Sequence, residues 1–264
     1  MLVNILEKIV TQKKREVAAL QQIIDISLFE KIIEQKPQTQ KSLQKSILNS
    51  PNGVISEFKR RSPSKNQINY QDSVIHVATS YQKNNSAGLS VLTDTQFFGG
   101  SIEDLIQAKT VYNNPILRKD FVVSEYQIYQ SKAIGAHAIL LIAAILTKTE
   151  MQCFSALANY LGLEVLVEIH EKSELEKIPF GPHILYGINN RNLKNFTVDF
   201  QNSIKLSQQL PKEAIKVAES GITSSQDVQI LRDNGFDGFL IGELFMRMDF
   251  NSNQITDFFK AIKK

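Results

Sequence analysis

The feature that most restricts the fold is a recurrence of form. From Gly53 onward, short β-rich runs begin near Val54, Leu89, Ile116, Ala138, Val165, Leu185, Ile215 and Gly238, each followed by a loop and a helix-like stretch. Several are apolar with little alternation, among them Val91-Leu92, Ile139-Leu140-Leu141-Ile142 and Phe239-Leu240-Ile241, as parallel strands covered on both faces require. Ser124 and Ser224 precede apolar residues at helical spacing, and Gly135, Gly162 and Gly235 stand where the helices would end. Eight such units fit either an open doubly wound sheet or a closed ring. Neither the dinucleotide pattern G-x-G-x-x-G nor a P-loop is present, which favours the ring: an α/β fold, the (β/α)8 TIM barrel. A chain of 264 residues has the length of one such barrel. Residues 53–264 are therefore assigned to a single barrel domain and 1–50 to a helical extension of it.

In that extension, Ile5, Leu6, Ile9, Val10, Val17 and Leu20 keep helical spacing around a polar stretch from Thr11 to Glu16, which predicts one amphipathic helix packed on the barrel. Pro37, inside the polar run Gln35 to Gln40, separates it from a short helix expected over Leu43 to Leu48. Asn4, Glu7 and Lys8 interrupt the first apolar residues, so no export signal is expected. The longest apolar run, Ala138 to Leu146, has nine residues, well short of the ~20 a membrane-spanning helix needs. Cys153 is the only cysteine, which leaves no internal disulfide or thiolate cluster and points to the cytoplasm. The 30 basic and 27 acidic residues give a formal charge of +3, so any affinity for an anion has to be local.

Polar residues end five of the eight runs: Glu57 with Lys59, Lys119, Glu168, Asn189, and Glu219 with Ser220. A single charged strand end reads as a solvated terminus or an ion pair. In a barrel, however, all strand ends share one rim, and active sites lie on the C-terminal rim. Glu57 and Lys59, two apart, point to the same side as Ile55; charges facing a dry interior need each other or a ligand. The loop Lys59-Arg60-Arg61-Ser62-Pro63-Ser64-Lys65 could be a nucleic-acid patch, but it lacks aromatic interleaving. A basic loop closing over an anionic substrate fits the rim better. Gly221 and the pair Gly242-Glu243 follow the last two runs directly, where glycines let backbone N–H groups approach a phosphate. His76, His137, His170 and His183 are scattered without metal-ligand spacing, so no metal site is expected, and His170 draws notice only for lying just past Glu168.

Four segments in this order closely resemble the indole-3-glycerol phosphate synthase family: Glu57-Phe58-Lys59-Arg60-Arg61-Ser62-Pro63-Ser64-Lys65, Pro115 to Phe121, Gly187-Ile188-Asn189-Asn190-Arg191-Asn192-Leu193, and Ala218-Glu219-Ser220-Gly221-Ile222. The likeness spans nearly the whole chain, extension included. It implies closure of 1-(2-carboxyphenylamino)-1-deoxyribulose 5-phosphate to indole-3-glycerol phosphate, with loss of CO2 and water, in tryptophan biosynthesis. It also implies no cofactor and a small phosphorylated substrate as partner; a monomer that binds neither nucleic acid nor membrane is expected. By position, Lys119 matches the general acid of ring closure and Glu168 the base of the dehydration. Lys59 matches a cation for the substrate carboxylate or phosphate, which lysine acts at which step being left open. Glu57 and Asn189 match residues that position hydroxyls, and Glu219 and Ser220 face the developing indole. Ser62, Phe121, Arg191 and Leu240 join Gly221, Gly242 and Glu243 in binding substrate and phosphate. Asn66 stands where glycine often ends the first motif, Ser124-Glu125 where Asp-Pro is common, and His137 where an acid is common. Lys119 is expected to have its pKa lowered by Lys59 and partial burial. The enzyme alternative is another phosphate-binding barrel such as phosphoribosylanthranilate isomerase, which pairs a first-strand cysteine with an aspartate. The alternative from another class is a barrel that binds sugar phosphates without catalysis.

Overall fold

Eight parallel strands pair in sequence order, and the last pairs with the first, closing the ring. The protein is seen in a computed structural model that describes residues 5–35, 41–192 and 197–263. The strands are β1 (Val54–Phe58), β2 (Gly88–Leu92), β3 (Ile116–Lys119), β4 (Ala138–Ile142), β5 (Glu164–Ile169), β6 (Ile184–Asn189), β7 (Lys216–Glu219) and β8 (Gly238–Ile241). Each begins within one residue of a run marked in the sequence. Closure is made by Val54, Ile55 and Ser56 against Phe239, Leu240 and Ile241.

Period two decides which side chains face inward. Ile55, Leu117, Leu140, Leu166, Leu185, Val217 and Leu240 form one buried cluster inside the ring, whereas Val54, Val91, Ile139, Val167, Ile188 and Phe239 belong to a separate cluster under the outer helices. Counting on in twos from the inward set gives Glu57 on β1 with Lys59 just past its end, Lys119 on β3, Glu168 on β5, Gly187 and Asn189 on β6, and Glu219 on β7. The polar strand ends thus stand on the same rows as the barrel's apolar filling, one layer higher.

Before the ring come α1 (Ile5–Gln21), α2 (Ile26–Gln35) and α3 (Leu43–Asn49). The stretch expected to hold one amphipathic helix and then a break holds two helices. Asp25 separates them, its carboxylate accepting the N–H of Ser27 at 2.9 Å, and Phe29 of α2 packs edge-on against Tyr126, ring centroids 5.1 Å apart. The expected helix over 43–48 is α3, whose Leu43 and Ile47 join the inner cluster; Pro37 lies outside the described residues.

Around the ring run α4 (Val74–Lys83), α5 (Ile102–Ala108), α6 (Glu125–Ile134), α7 (Lys148–Tyr160), α8 (Phe200–Ser207), α9 (Ser225–Asp233), α10 (Glu243–Met246) and α11 (Gln254–Ala261). Ser124 and Ser224 cap α6 and α9 through their side chains, and Gly135 ends α6 in the left-handed conformation, as their sequence positions predict. After β5 the expected helix is only a 3-10 turn, Lys172–Glu176; Pro179 follows three residues later, before β6 begins at Ile184, leaving no room for more. Among the described residues no helix is long and apolar enough to cross a membrane.

Candidate active site

The C-terminal rim opens into a cavity of about 620 Å³. At its floor stand three carboxylates and two ammonium groups. Lys119 Nζ lies 3.1 Å from Glu219 Oε2, 3.7 Å from Glu168 Oε2 and 3.8 Å from Glu57 Oε2. Lys59 donates to Glu57 Oε1 at 2.6 Å, and Ser90, facing inward from β2, donates to Glu57 Oε2 at 3.3 Å. Asn189 Nδ2 donates to Glu168 Oε1 at 3.1 Å. Four strands therefore deliver one ion cluster, because the inward rows of β1, β3, β5 and β7 converge at the same height.

The expectation for Lys119 has the wrong sign. Burial by itself would lower its pKa, but the carboxylates of Glu219, Glu57 and Glu168 outweigh burial and raise it. The neighbour that matters is the ring of acids, not Lys59, so Lys119 is held firmly as an ammonium. Burial likewise pushes Glu57 upward, yet Lys59 and Lys119 bring it below the ordinary range. For Glu219, burial and the nearby Glu168 and Glu57 charges win over Lys119, pushing its pKa up to about 7. Glu168 goes the other way: burial is overcome by His170, Lys119 and Asn189, and it stays below the usual carboxylate range. Like charges packed together part in this manner, one carboxyl taking the proton and another staying ionised.

The remaining wall divides in two. One side is apolar, built from Leu92, Phe98, Phe121, Leu140, Ile142 and Leu240 together with Ile5, Leu6 and Ile9 of α1. The other is glycine-bearing: Ser220, Gly221, Ile222 and Thr223 after β7, and Gly242 with Glu243 after β8. Ser220 and Gly221 both have positive φ, 67° and 73°, a conformation that is costly for a serine. Ser62, Lys65 and Arg191 complete the rim. Lys65, at the tip of the loop after β1, pairs with the Glu243 carboxylate, and Arg247 approaches the same carboxylate at 3.3 Å. Every site residue expected from the sequence lines this cavity except Glu219, which lies just beneath it on Lys119.

The basic loop divides its charge. Arg60 makes a paired contact with Asp104 of α5, and Arg61 donates to the Thr95 and Gln96 carbonyls. Of the loop's four charged residues only Lys59 and Lys65 face the cavity, alongside Ser62, Pro63 and Ser64. Sequence reasoning missed the α1 residues and Lys13. Lys13 is buried and bridges Asp94 at 3.0 Å and Asp120 at 3.1 Å. The signal was a lysine on an apolar stripe, since Ile5, Ile9, Lys13 and Val17 follow i, i+4 spacing.

Residues 6–258 match the family model described as indole-3-glycerol phosphate synthase. The chain belongs to that family. A relative named indole-3-glycerol phosphate synthase in Bacteroides thetaiotaomicron is 43% identical, covering 98% of this chain and 99% of its own. One of the same name in Variovorax paradoxus is 40% identical over 97% and 99%. Solved structures share the barrel at much lower identity, which speaks for fold alone. The 3-hexulose-6-phosphate synthase of Salmonella typhimurium superposes with a TM-score of 0.63 at 11% identity, covering 80% of this chain and 98% of that one. The N-acetylmannosamine-6-phosphate 2-epimerase of Clostridium perfringens gives 0.58 at 13% identity, with 84% and 99% covered. Membership of the synthase family excludes the isomerase alternative, whose first strand would need a cysteine where this chain has Glu57 and Lys59.

Proposed function

We propose that this chain closes 1-(2-carboxyphenylamino)-1-deoxyribulose 5-phosphate to indole-3-glycerol phosphate, and that the rim residues divide the chemistry as their surroundings favour. The observation that carries the reading is the cavity's layout: an ammonium flanked by an ionised and a protonatable carboxyl, an apolar wall on one side and glycine loops on the other. The aromatic ring fits the apolar wall, with Phe121 and Leu240 against it. The phosphate fits the backbone of Gly221 and Gly242, with Ser62 and Arg191 nearby.

Ring closure joins the carboxylate-bearing ring carbon to the ketone carbon. The ketone oxygen becomes an alkoxide, a far stronger base than any amine, so even a lysine with a raised pKa delivers its proton; Lys119 is the donor. The carbon–carbon bond to the carboxylate then breaks, CO2 leaves, and its electron pair restores the aromatic ring. In the dehydration one of the two lysines protonates the hydroxyl, which departs as water, and Glu168 takes the proton from the adjacent carbon as the double bond forms. Lys59 balances the substrate carboxylate until it is lost. Glu57 and Asn189 hold hydroxyls, while Glu219 and Ser220 face the forming indole. Glu243 sits where a phosphate would repel it, and Lys65 and Arg247 offset that charge.

The single cysteine and a charged, membrane-impermeant substrate support action in the cytoplasm. A monomer is expected, which sedimentation of the purified protein checks. The test of function is incubation with the carboxyphenylamino substrate while indole fluorescence is followed. The wild type turns over, and Lys119→Ala and Glu168→Gln each lose about 10²–10⁴-fold in kcat. No product from the wild type sinks the function; full activity in either variant sinks the assigned roles.

A further inference from the structure

A carboxylate that serves as a base has to remain ionised, yet Glu168 is buried and shares its floor with Glu57 and Glu219. Burial and like charge both favour the protonated acid. What offsets them lies behind the cavity wall. His170, on the loop after β5, places Nε2 3.1 Å from Glu168 Oε1 and Nδ1 3.9 Å from Glu174 Oε2, with 8% of its side chain exposed. Neither buried ring nitrogen has hydrogen-bond geometry to any described neighbour, so its contacts with the two carboxylates become ion pairs when the ring is protonated. Glu174 is fixed in turn, its Oε2 accepting the backbone N–H of His170 at 2.6 Å and of Glu171 at 3.3 Å. The imidazole is thus clasped between two carboxylates, away from the cavity lining.

We infer that His170, oriented by Glu174, is a positioning residue that commits Glu168 Oε1 to the wall and leaves Oε2 as the ionised oxygen facing Lys119 and the substrate. The inference rests on Glu168 acting as the base. Asn189 occupies the same Oε1 at 3.1 Å, whereas Oε2 looks toward Lys119 at 3.7 Å. The charged groups that face His170 are Glu168 of β5, Glu174 of the 3-10 turn and Glu219 of β7. Those that face Glu168 are His170, Lys119 of β3 and Glu219 of β7. Burial alone would favour the neutral imidazole, but Glu168, Glu174 and Glu219 outweigh it and raise its pKa. A cation behind the base then opposes burial and like charge in front of it.

Two measurements on the full chain test this. With ring-labelled histidine there are four signals, from His76, His137, His170 and His183, and His170→Gln identifies the one in question. It titrates above the ordinary value of about 6.5, and Glu168→Gln and Glu174→Gln each bring it down by about one pH unit. In turnover, His170→Gln, which keeps bulk and removes charge, lowers kcat about tenfold near neutrality with KM changed less than about threefold. The acid limb of its kcat/KM profile moves up by about one pH unit, a shift that a purely structural role does not produce. A His170 signal at or below about 6.5, or one indifferent to Glu168→Gln, overturns the inference, as do superimposable pH profiles. A wild type without turnover strikes the proposed function instead, and the titration still decides the clasp.

Discussion

Gly187 shows what one atom is worth at this site. It occupies the inward row of β6 between Leu185 and Asn189, and a Cβ there would stand 2.0 Å from Glu219 Oε1 and 3.2 Å from Leu166 Cδ1. The absent side chain is the space the Glu219 carboxylate uses. Gly187→Ala forces that carboxylate off Lys119; we expect a loss of about 1–3 kcal/mol in urea unfolding and at least about a tenfold fall in kcat. Unchanged turnover in a fully stable variant would mean Glu219 has room to move. At this scale the sequence was informative about identity and poor on protonation. The period-two spacing of Ile55, Glu57 and Lys59 was enough to aim them together. It could not say that Glu57, Glu168 and Glu219 would all reach Lys119, because that depends on how far apart alternate strands sit across the ring. His170 drew notice only for its place beside Glu168, since its meaning comes from Glu174 curling back through a 3-10 turn.

Among the elements, α1 is the least expected participant in the site. Its Ile5, Leu6 and Ile9 close the cavity, and its Lys13 ties it to the strand ends through Asp94 and Asp120. Asp120 is itself held by Arg118 at 3.0 Å and Thr93 at 2.6 Å. Burial pushes the Asp120 pKa up, but Arg118 and Lys13 prevail and bring it to about 2. Replacing Lys13 with methionine preserves length and apolar contact while leaving two buried carboxylates short of a cation. The expected cost is about 3–5 kcal/mol, read from urea midpoints, with a raised KM as α1 loosens from the mouth. A variant as stable as the parent would show that Arg118 alone suffices. The strands were legible because parallel, doubly covered segments are written as apolar runs. The break between α1 and α2 was not, since Gln22 to Asp25 carries no proline or glycine, and the docking of α1 depends on a barrel that local spacing does not describe.

For the molecule as a whole, the response to acid follows from His137. Its Nδ1 accepts the backbone N–H of Ile116 at 3.1 Å, which requires a lone pair and therefore the neutral ring. Burial, then Lys41, Lys109 and Lys132, lower its pKa to about 4. The folded state refuses a proton that the unfolded chain accepts near 6.5. The stability that the neutral His137 contributes is therefore complete above about 6.5 and falls as pH drops from there toward 4. Its share of the loss is about 2–3 kcal/mol. His137→Asn, whose Oδ1 can accept the same N–H, should flatten unfolding free energy between pH 7 and 4.5 by that amount. Parallel curves for the two proteins would assign the acid sensitivity to other groups.

The pairing of β1 with β8 also sets a timetable for making the protein. Val54 and Phe239, adjacent in the closed ring, leave the ribosome about ten to forty seconds apart at ordinary synthesis rates. Until then the nascent sheet has a bare apolar edge, and Glu57 and Lys59 have no floor to join. The growing chain must be sheltered through that interval, and an elongation stall after β7 would release a product that is sticky as well as inactive.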